Sequence, residues 1–402
     1  MAVRKRAWKT STGIEKTAWI VVYVDQNGKR RAKQFSLQRD AKGFALAVSN
    51  EIREGVHTPE RDTVTVAEAG QQWLDSCEQR GLERTTRDSY RQALELHIKP
   101  FLGRRKLSSL SVPVIRKFED ALRAGDAAPG EQTGKVRSPA LVRHIRVALG
   151  ALVADAQERG LCARNPVKEM NARRKSGHES RSEARHKPHI GQEIPSMDEI
   201  GRIISALEQV PTRYRTMLLT AIFCGLRASE LRGLDWQNID FKKRQLHVVQ
   251  RADRYSQIGS PKTKAGNRTI PFGDRLLNTL REWKVASGGK DGQLVFGTRK
   301  GKPDGHSNIL VRAFHPAQVT AGVVDSEGGP KYTGLHSLRH FFASMCINRK
   351  VDGGLELPAK VVQERLGHSS IAMTLDVYSH LFPRGDDLSE LAAAEAALWA
   401  GP

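Results

Sequence analysis

The chain has 402 residues, 65 of them Lys or Arg and 44 Asp or Glu, which gives a formal net charge of +21 at pH 7 and a pI near 10.1. This length allows two or three domains with proper hydrophobic cores. The positive charge favours nucleic acid as a partner. A ribosome-associated or merely soluble basic protein would carry the same charge, so the choice between these classes depends on motifs.

Cysteine spacing and hydropathy exclude a disulfide scaffold, a zinc site and a membrane protein. The cysteines show neither Cys-x-x-Cys nor Cys/His ligand spacing, and they are Cys77, Cys162, Cys224 and Cys346. Met1–Arg6 is basic, but no apolar segment of signal-peptide length follows it, and no window approaches the roughly eighteen apolar residues of a membrane span. We therefore expect a soluble, cytoplasmic protein with reduced thiols.

Residues 1–60 are predicted to form a small module of strands and one helix. Trp19–Val24 is β-branched and aromatic, Asp25–Gly28 contains the Asn-Gly hairpin signal, and Lys29–Leu37 returns as a basic strand. A helix follows over about Arg39–Glu54. The module has 12 Lys or Arg against 6 Asp or Glu, a net charge of +6.

The basic strand is the candidate DNA-binding surface of this module, because a basic β-sheet face can enter a DNA groove. Its predicted DNA contacts are Lys29, Arg30, Arg31 and Lys33. A solvated strand with a run of positive charge would give the same pattern without touching DNA. Both interpretations stay open.

Residues 63–167 have the apolar periodicity of four helices. Thr65 is the expected N-cap of the first helix, and Pro100 and Gly103 are expected to stop the second. The third and fourth are predicted over Val112–Arg123 and Ala140–Gly160. The expected fold class of the whole chain is therefore multidomain and mainly α, with small β-sheets.

A polar, basic stretch separates this region from the last domain. Residues 168–192 contain seven Lys or Arg and three Asp or Glu without periodicity, which is typical of a linker. The last domain is expected over residues 193–387 and begins with a capping box formed by Ser196 and Glu199. An alanine-rich apolar tail follows over residues 388–402.

Four short motifs in the last domain carry residues suited to phosphodiester chemistry. They are Cys224–Leu231, Ser260–Pro271, Gly334–His340 and Leu366–His380. Attack on a phosphodiester builds negative charge on its equatorial oxygens, which arginine can hold bidentately while staying protonated. Tyr378 lies in the apolar-periodic run after His368 and is a candidate nucleophile. A tyrosine on an amphipathic helix is more often a core residue, so this hypothesis depends on the other motifs.

In this order, the motifs G-L-R-x-S-E-L, P-K-T-K, H-x-L-R-H and L-G-H with a tyrosine ten residues on resemble the tyrosine recombinase (phage integrase) family. The resemblance implies an α+β catalytic domain over residues 193–387 and a core-binding domain over 63–167 that clamps the duplex. A generic helical bundle would also fit the second range. More loosely, the resemblance implies an arm-type DNA-binding module over residues 1–60.

The resemblance also implies the chemistry and the residues that perform it. The implied catalytic set is Arg227, Lys262, His336, Arg339, His368 and Tyr378. Tyr378 would attack the scissile phosphorus, leaving a 3′-phosphotyrosine and a free 5′-hydroxyl, with no cofactor, ATP or divalent cation. His336 would accept a proton or bind the phosphate, and His368 would donate a hydrogen bond to a non-bridging oxygen.

Three further residues lie within these motifs. The lysine segment is expected to form a strand, which a hairpin turn at Gly266–Asn267 joins to Arg268–Pro271. The family's lysine would protonate the leaving 5′-oxygen, and Lys264, nearer that turn, is the alternative to Lys262. Glu230, one helical turn from Arg227, is expected to orient the site rather than react. His340 is expected to point elsewhere on its helix and to serve packing.

Three functions are compatible with these residues. The first is a site-specific recombinase, the integrase of a phage or other mobile element, acting on double-stranded attachment sites as a homotetramer through a Holliday junction. Accessory excision or DNA-bending proteins would be its partners. A tyrosine-dependent topoisomerase would act as a monomer without site preference, and a catalytically idle DNA-binding regulator would keep only the fold. For a tetramer, the apolar tail is predicted to pack into a neighbouring catalytic domain, although packing on its own domain fits equally.

Overall fold

The computed structural model describes residues 1–9, 15–25, 28–55, 57–59, 63–129, 134–170, 187–382 and 387–400. The chain divides into two compact units, Met1–Ser180 and Arg181–Pro402. Both are mainly helical with small sheets, so the predicted fold class is confirmed. Part of the predicted Asn-Gly turn and most of the predicted linker lie outside the described residues. None of the helices in the described ranges is long and apolar enough to cross a membrane.

The first unit begins with an antiparallel sheet in the order β1-β2-β3. The strands and the helix that follows are β1 Ala2–Lys9, β2 Glu15–Val24, β3 Arg30–Phe35 and α1 Gln38–Arg53. Val21 and Tyr23 of β2 pack with buried alanines and Val48 of α1. Strand β1 was not predicted, because its Lys and Arg residues hide the apolar alternation that identifies a strand.

The rest of this unit is helical and has a core of its own. Its labelled helices are α2 Val66–Gln79, α3 Arg84–Ala93, α4 Val112–Ala124 and α5 Pro139–Glu158. The predicted cap is confirmed, because the Thr65 side chain accepts from the Glu68 amide while the Glu68 side chain accepts from that of Thr65. The second helix ends at Leu102, directly before Gly103 as predicted, but Pro100 does not stop it. A π turn over Leu94–Ile98 lets the chain continue helically over Lys99–Leu102.

The second unit surrounds one large core whose biggest buried side chains include Trp236, Phe296, Phe314 and Phe342. The predicted capping box of Ser196 and Glu199 is confirmed. The labelled helices of the second unit are α6 Met197–Ala206, α7 Thr212–Cys224, α8 Ala228–Arg232, α9 Asp274–Ser287, α10 His306–Ile309, α11 His315–Thr320, α12 His336–Ile347, α13 Ala359–Leu366, α14 Ile371–Tyr378 and α15 Asp387–Trp399. A π turn, Leu310–Phe314, joins α10 and α11.

The strands of the second unit correct the prediction for the lysine segment. They are β4 Ile239–Asp240, β5 Gln245–Val248, β6 Arg251–Ala252, β7 Ile258–Gly259 and β8 Arg268–Pro271, arranged as the sheets β4-β5-β8 and β6-β7. Lys262 was expected on a strand, but it lies in a bend after β7, and Lys264–Gly266 forms a 3₁₀ turn. Pro261 explains the difference, because a proline has no N–H with which to extend the ladder.

Candidate active site

The four sequence motifs meet within the second unit at two glycine-terminated helix ends. Helix α7 ends at Gly225 with φ +58°, and α13 ends at Gly367 with φ +64°. A Cβ on Gly225 would lie 2.2 Å from the Phe342 ring, and one on Gly367 would lie 2.8 Å from the Ala265 carbonyl oxygen. Glycine is therefore required at both positions, and the second contact sets the lysine turn against the segment that leads to His368.

Three arginines and one glutamate form the centre of the site. The Glu230 carboxylate accepts from Arg227 Nη1 at 2.7 Å and from Arg268 Nη2 and Nη1 at 2.8 and 3.1 Å. Arg227 Nη2 also donates to the Gly367 carbonyl at 3.2 Å. Arg268 Nε donates to the Arg365 carbonyl at 2.7 Å. These bonds hold the first motif, strand β8 and the end of α13 together.

Arg339 is more deeply buried than the other two arginines, with 2% of its surface exposed. Its guanidinium donates to the carbonyl of Gly225 at 2.8 Å and to that of Leu366. Burial, together with the charges of Arg227 and Arg268, lowers the pKa of Arg339 to about 9. Because neighbouring positive charges destabilise the charged form of Arg339, an anion bound beside it would stabilise that form strongly.

The charges of this cluster do not cancel. Burial raises the pKa of Glu230, but the hydrogen bonds and charge of Arg268 and the charge of Arg227 more than offset that effect, and the pKa is lowered to about 2. Glu230 is therefore ionised, yet it is the single carboxylate that these guanidinium groups share in the contacts described. The cluster keeps surplus positive charge, which favours a bound phosphodiester.

The two predicted histidines occupy different surroundings. His368 is buried, and its Nδ1 lies 2.9 Å from Thr374 Oγ1. Burial and the neighbouring arginine charges lower its pKa to about 3. His336 keeps an exposed side at the first turn of α12, and the partial burial of its ring together with the charges of Arg339 and Arg227 lowers its pKa. Both imidazoles are therefore neutral near pH 7.

Tyr378 has its hydroxyl 2.7 Å from Nδ1 of His340 and is 2% exposed. Burial raises the pKa of this phenol to about 12. The prediction that His340 points away from the site was wrong. Its spacing could have revealed this, because His336 and His340 are four residues apart and share one face of a helix.

The two candidate lysines both lie between β7 and β8, in the segment that contacts Gly367. Lys262 and Lys264 are exposed, on either side of Thr263, in the segment that leads into β8. The next residue, Ala265, contacts Gly367 through its carbonyl, as described above. The sequence did not single out Arg268, although its position directly after the lysine turn, as the first residue of β8, is the signal that could have found it.

The predicted DNA contacts of β3 divide between the two faces of the first sheet. Arg31 and Lys33 lie opposite Tyr23 and Val21, on the face that packs on α1. There Arg31 Nε donates to Asp25 at 2.8 Å, and the Lys33 ammonium lies 4.9 Å from the Phe44 ring centroid. Lys29 is exposed in the turn before β3.

The opposite face of that sheet is not packed on α1. Alternation places Arg30 there, together with the exposed residues Arg4, Arg6 and Gln34. The sequence did not single out Arg4 or Arg6 as DNA contacts, because β1 itself was not predicted. The register of three strands is needed to bring these side chains to one surface.

Two family models match parts of the chain. Residues 196–384 match the Phage integrase family, and residues 65–123 match the phage integrase N-terminal SAM-like domain. Tyrosine recombinase XerC of Xylella fastidiosa (strain M23) is 31% identical over 298 residues, which cover 69% of this chain and 88% of that relative.

Two solved structures share the fold at low sequence identity. The Tn1549 transposon integrase in complex with transposon right end DNA has a TM-score of 0.59 and 18% identity, covering 83% of this chain and 99% of that one. A lambda integrase tetramer bound to a Holliday junction has a TM-score of 0.54 and 19% identity, covering 90% and 95%. The family match and the XerC relative show that the chain belongs to the phage integrase family of tyrosine recombinases.

Proposed function

We propose that this protein is a site-specific DNA recombinase, the integrase of a phage or other mobile element. The observation that carries the proposal is the meeting of a buried tyrosine with a cluster of arginines that holds surplus positive charge. The Tyr378 hydroxyl is hydrogen-bonded to His340 of helix α12, and the same helix carries Arg339. The XerC relative and the two integrases with the same fold support this function.

The reaction follows from the chemistry of these groups. Arg227 and Arg339 hold the scissile phosphate while Tyr378 Oη attacks phosphorus. The P–O5′ bond breaks, a 3′-phosphotyrosine forms, and Lys262 or Lys264 protonates the leaving 5′-oxygen. Since the phosphotyrosine conserves the energy of the broken bond, attack by a 5′-hydroxyl of another strand rejoins DNA without ATP.

The rest of the site serves the bound phosphate. His368 donates a hydrogen bond to a non-bridging oxygen, and His336, exposed beside the arginines, contacts the phosphate. Glu230 positions Arg227 and Arg268 and does not react. None of these roles calls for a divalent cation, so we expect cleavage to proceed in the presence of a chelator.

DNA binding by the first unit is assigned to the open face of its sheet. Arg30, Arg4 and Arg6 are exposed there, and Gln34 beside them can hydrogen-bond a base edge. Arg31 and Lys33 instead stabilise the module through Asp25 and Phe44. Such an additional DNA-binding module favours an integrase over a topoisomerase, which needs no second recognition site.

The exposed tail supports the proposed homotetramer. Leu391, Leu398 and Trp399 of α15 are 65%, 85% and 84% exposed, so these side chains do not pack on their own unit. We assign them to a neighbouring catalytic domain on DNA. Deletion after Asp387 should remove multimers on a four-way junction in a gel-shift assay while single-site binding persists. Unchanged multimers and strand exchange would contradict this role.

The test of the function uses nicked suicide duplexes tiled across the DNA that flanks the gene, incubated with the purified protein in a chelator. We expect a denaturant-resistant adduct at one short sequence, absent in Tyr378→Phe. Adducts on every duplex would indicate a topoisomerase. Tight, salt-sensitive binding without any adduct would indicate an idle DNA-binding regulator, and the proposed chemistry would then be wrong.

A further inference from the structure

We propose that His340 is the group that takes the phenolic proton from Tyr378 when the tyrosine attacks DNA. This inference rests on the proposed function and adds a catalytic residue to it. Its basis is the contact between Tyr378 Oη and His340 Nδ1, 2.7 Å apart, which is a normal hydrogen-bond distance. The proton acceptor is therefore already in contact with the reacting atom.

The packing around His340 holds this contact in place. The His340 ring stands edge-on to the Tyr378 ring, with centroids 5.7 Å apart and an interplanar angle of 65°. It also stands edge-on to the His336 ring, with centroids 4.6 Å apart and an angle of 83°. Of the two histidines, His336 is the exposed one, so it is the one available to DNA, whereas His340 faces the phenol.

The direction of the hydrogen bond follows from the two protonation states. Burial and the charges of His336 and Arg339 lower the pKa of His340 to about 4, against a small opposing effect of Glu193. His340 is therefore neutral near pH 7, whereas Tyr378 keeps its proton. The phenol can then donate and Nδ1 accept, with the remaining imidazole proton on Nε2.

Binding of DNA changes this balance in the direction that attack requires. A phosphodiester beside Arg339 offsets part of the positive charge that makes His340 a weak base, so the imidazole becomes more basic. As the Oη–P bond forms, the phenolic oxygen loses electron density and its proton becomes far more acidic. The proton then passes from Oη to Nδ1 of His340.

The step balances in both directions. On cleavage the Oη–P bond forms, the P–O5′ bond breaks, His340 becomes an imidazolium, and Lys262 or Lys264 gives a proton to O5′. On rejoining, the 5′-hydroxyl gives its proton to the lysine and attacks phosphorus, and the imidazolium returns its proton to Tyr378. No redox partner or further reactant takes part.

The experiment measures single-turnover adduct formation on a suicide duplex by the wild type, His340→Leu and His340→Asn. Leu fills the space without an acceptor, whereas Asn offers an acceptor near the Nδ1 position but cannot take a proton. His247→Leu replaces a histidine on β5, hydrogen-bonded to Thr269 at 2.9 Å, and is the matched control. DNA affinity and circular dichroism verify that each variant folds.

We expect both His340 variants to form adduct at least about 10²-fold more slowly near pH 7, with the control unchanged. Without the base, attack requires the phenolate, whose fraction rises with pH. The ratio of wild-type to variant rate should therefore fall by about tenfold for each pH unit between about pH 6 and pH 9. A purely structural role would leave this ratio constant.

Three results would overturn the inference. Either variant cleaving at the wild-type rate removes His340 from the reaction, and a pH-independent deficit leaves it only a packing role. If His340→Leu fails to fold, His340→Asn decides alone by the same two criteria. A wild-type protein without any adduct would end the proposed function itself, whereas an active wild type with unimpaired variants would end only the role of His340.

Discussion

Arginine is used in two different ways in the two units of this protein. In the second unit the Arg339 side chain is 2% exposed and that of Arg268 is 5% exposed, and each makes several fixed hydrogen bonds. In the first unit Arg4, Arg6 and Arg30 are exposed on one sheet face. Buried donors held in place stabilise charge that develops at one atom, whereas exposed cations attract a polyanion through a field that salt screens.

This difference separates cleavage from binding. Changes in the buried cluster should lower the rate of strand cleavage with little effect on DNA affinity. Changes on the sheet should lower affinity and its salt dependence and leave the rate on saturated DNA unchanged. A variant that lowered the cleavage rate and the DNA affinity equally would contradict this separation of roles.

The largest effect is expected for Arg227→Lys. Lysine keeps the charge but cannot hold Glu230 and the Gly367 carbonyl while presenting a fork to phosphate, so adduct formation should fall by about 10²–10³-fold. DNA affinity should stay within about twofold of the wild type. The measurement is single-turnover cleavage of a suicide duplex beside a binding titration.

Arg202→Lys is the matched control for this change. Arg202 is paired with Asp198 at 3.1 Å on an exposed helix surface, with 45% of its side chain exposed. Its replacement should leave both cleavage and binding unchanged. Equal losses in the two variants would show that the geometry of Arg227 has no special role.

A smaller effect, on stability, is expected for Glu230→Gln. The pKa of Glu230 falls from its ordinary value of 4.5 to about 2 on folding, which corresponds to about 3 kcal/mol of the free energy of unfolding. Because the folded pKa is the lower one, this contribution is present above about pH 5 and is lost as the pH falls towards 2. Urea unfolding across that range measures it.

Glu282→Gln provides the comparison for stability. Glu282 is 67% exposed, 3.8 Å from Arg215, and its replacement should change the free energy of unfolding by less than about 0.5 kcal/mol. The difference between the wild type and Glu230→Gln should shrink at low pH. A difference that is independent of pH would mean that the carboxylate charge of Glu230 does not stabilise the fold.

The smallest effect is expected for single cations of the sheet. Arg30→Gln and Lys33→Gln each remove one charge, but only Arg30 lies on the open face. Arg30→Gln should weaken DNA binding several-fold and reduce the slope of log affinity against log salt by about 0.9. Lys33→Gln should change this slope less. Equal slopes for the two variants would contradict the assignment of the open face.

The sequence predicted what is encoded in short contiguous patterns. The four motifs, the cap at Thr65 and the box of Ser196 and Glu199 were readable because the residues of each lie close together in the sequence. Helix positions followed from periodicity in the same way, although the π turn before Pro100 did not. These features depend on local chain geometry alone.

What the sequence did not predict depends on tertiary contacts. Arg268 contacts Glu230 across 38 residues, and Tyr378 meets His340 across the same separation. The open face exists only because β1 pairs with β2, which places Arg4 and Arg6 beside Arg30. No local pattern distinguishes Arg4 and Arg6 from ordinary surface charge.

The central claim is that Tyr378 becomes covalently joined to DNA, and mass spectrometry of the trypsin-digested adduct tests it most directly. Cleavage after Arg365 and Arg384 releases a peptide of residues 366–384. Of the six tyrosines of the chain, this peptide contains only Tyr378. We expect this peptide to carry the mass of a 3′-phosphonucleotide after nuclease treatment. A nucleotide on any other peptide, or on none, would contradict the account.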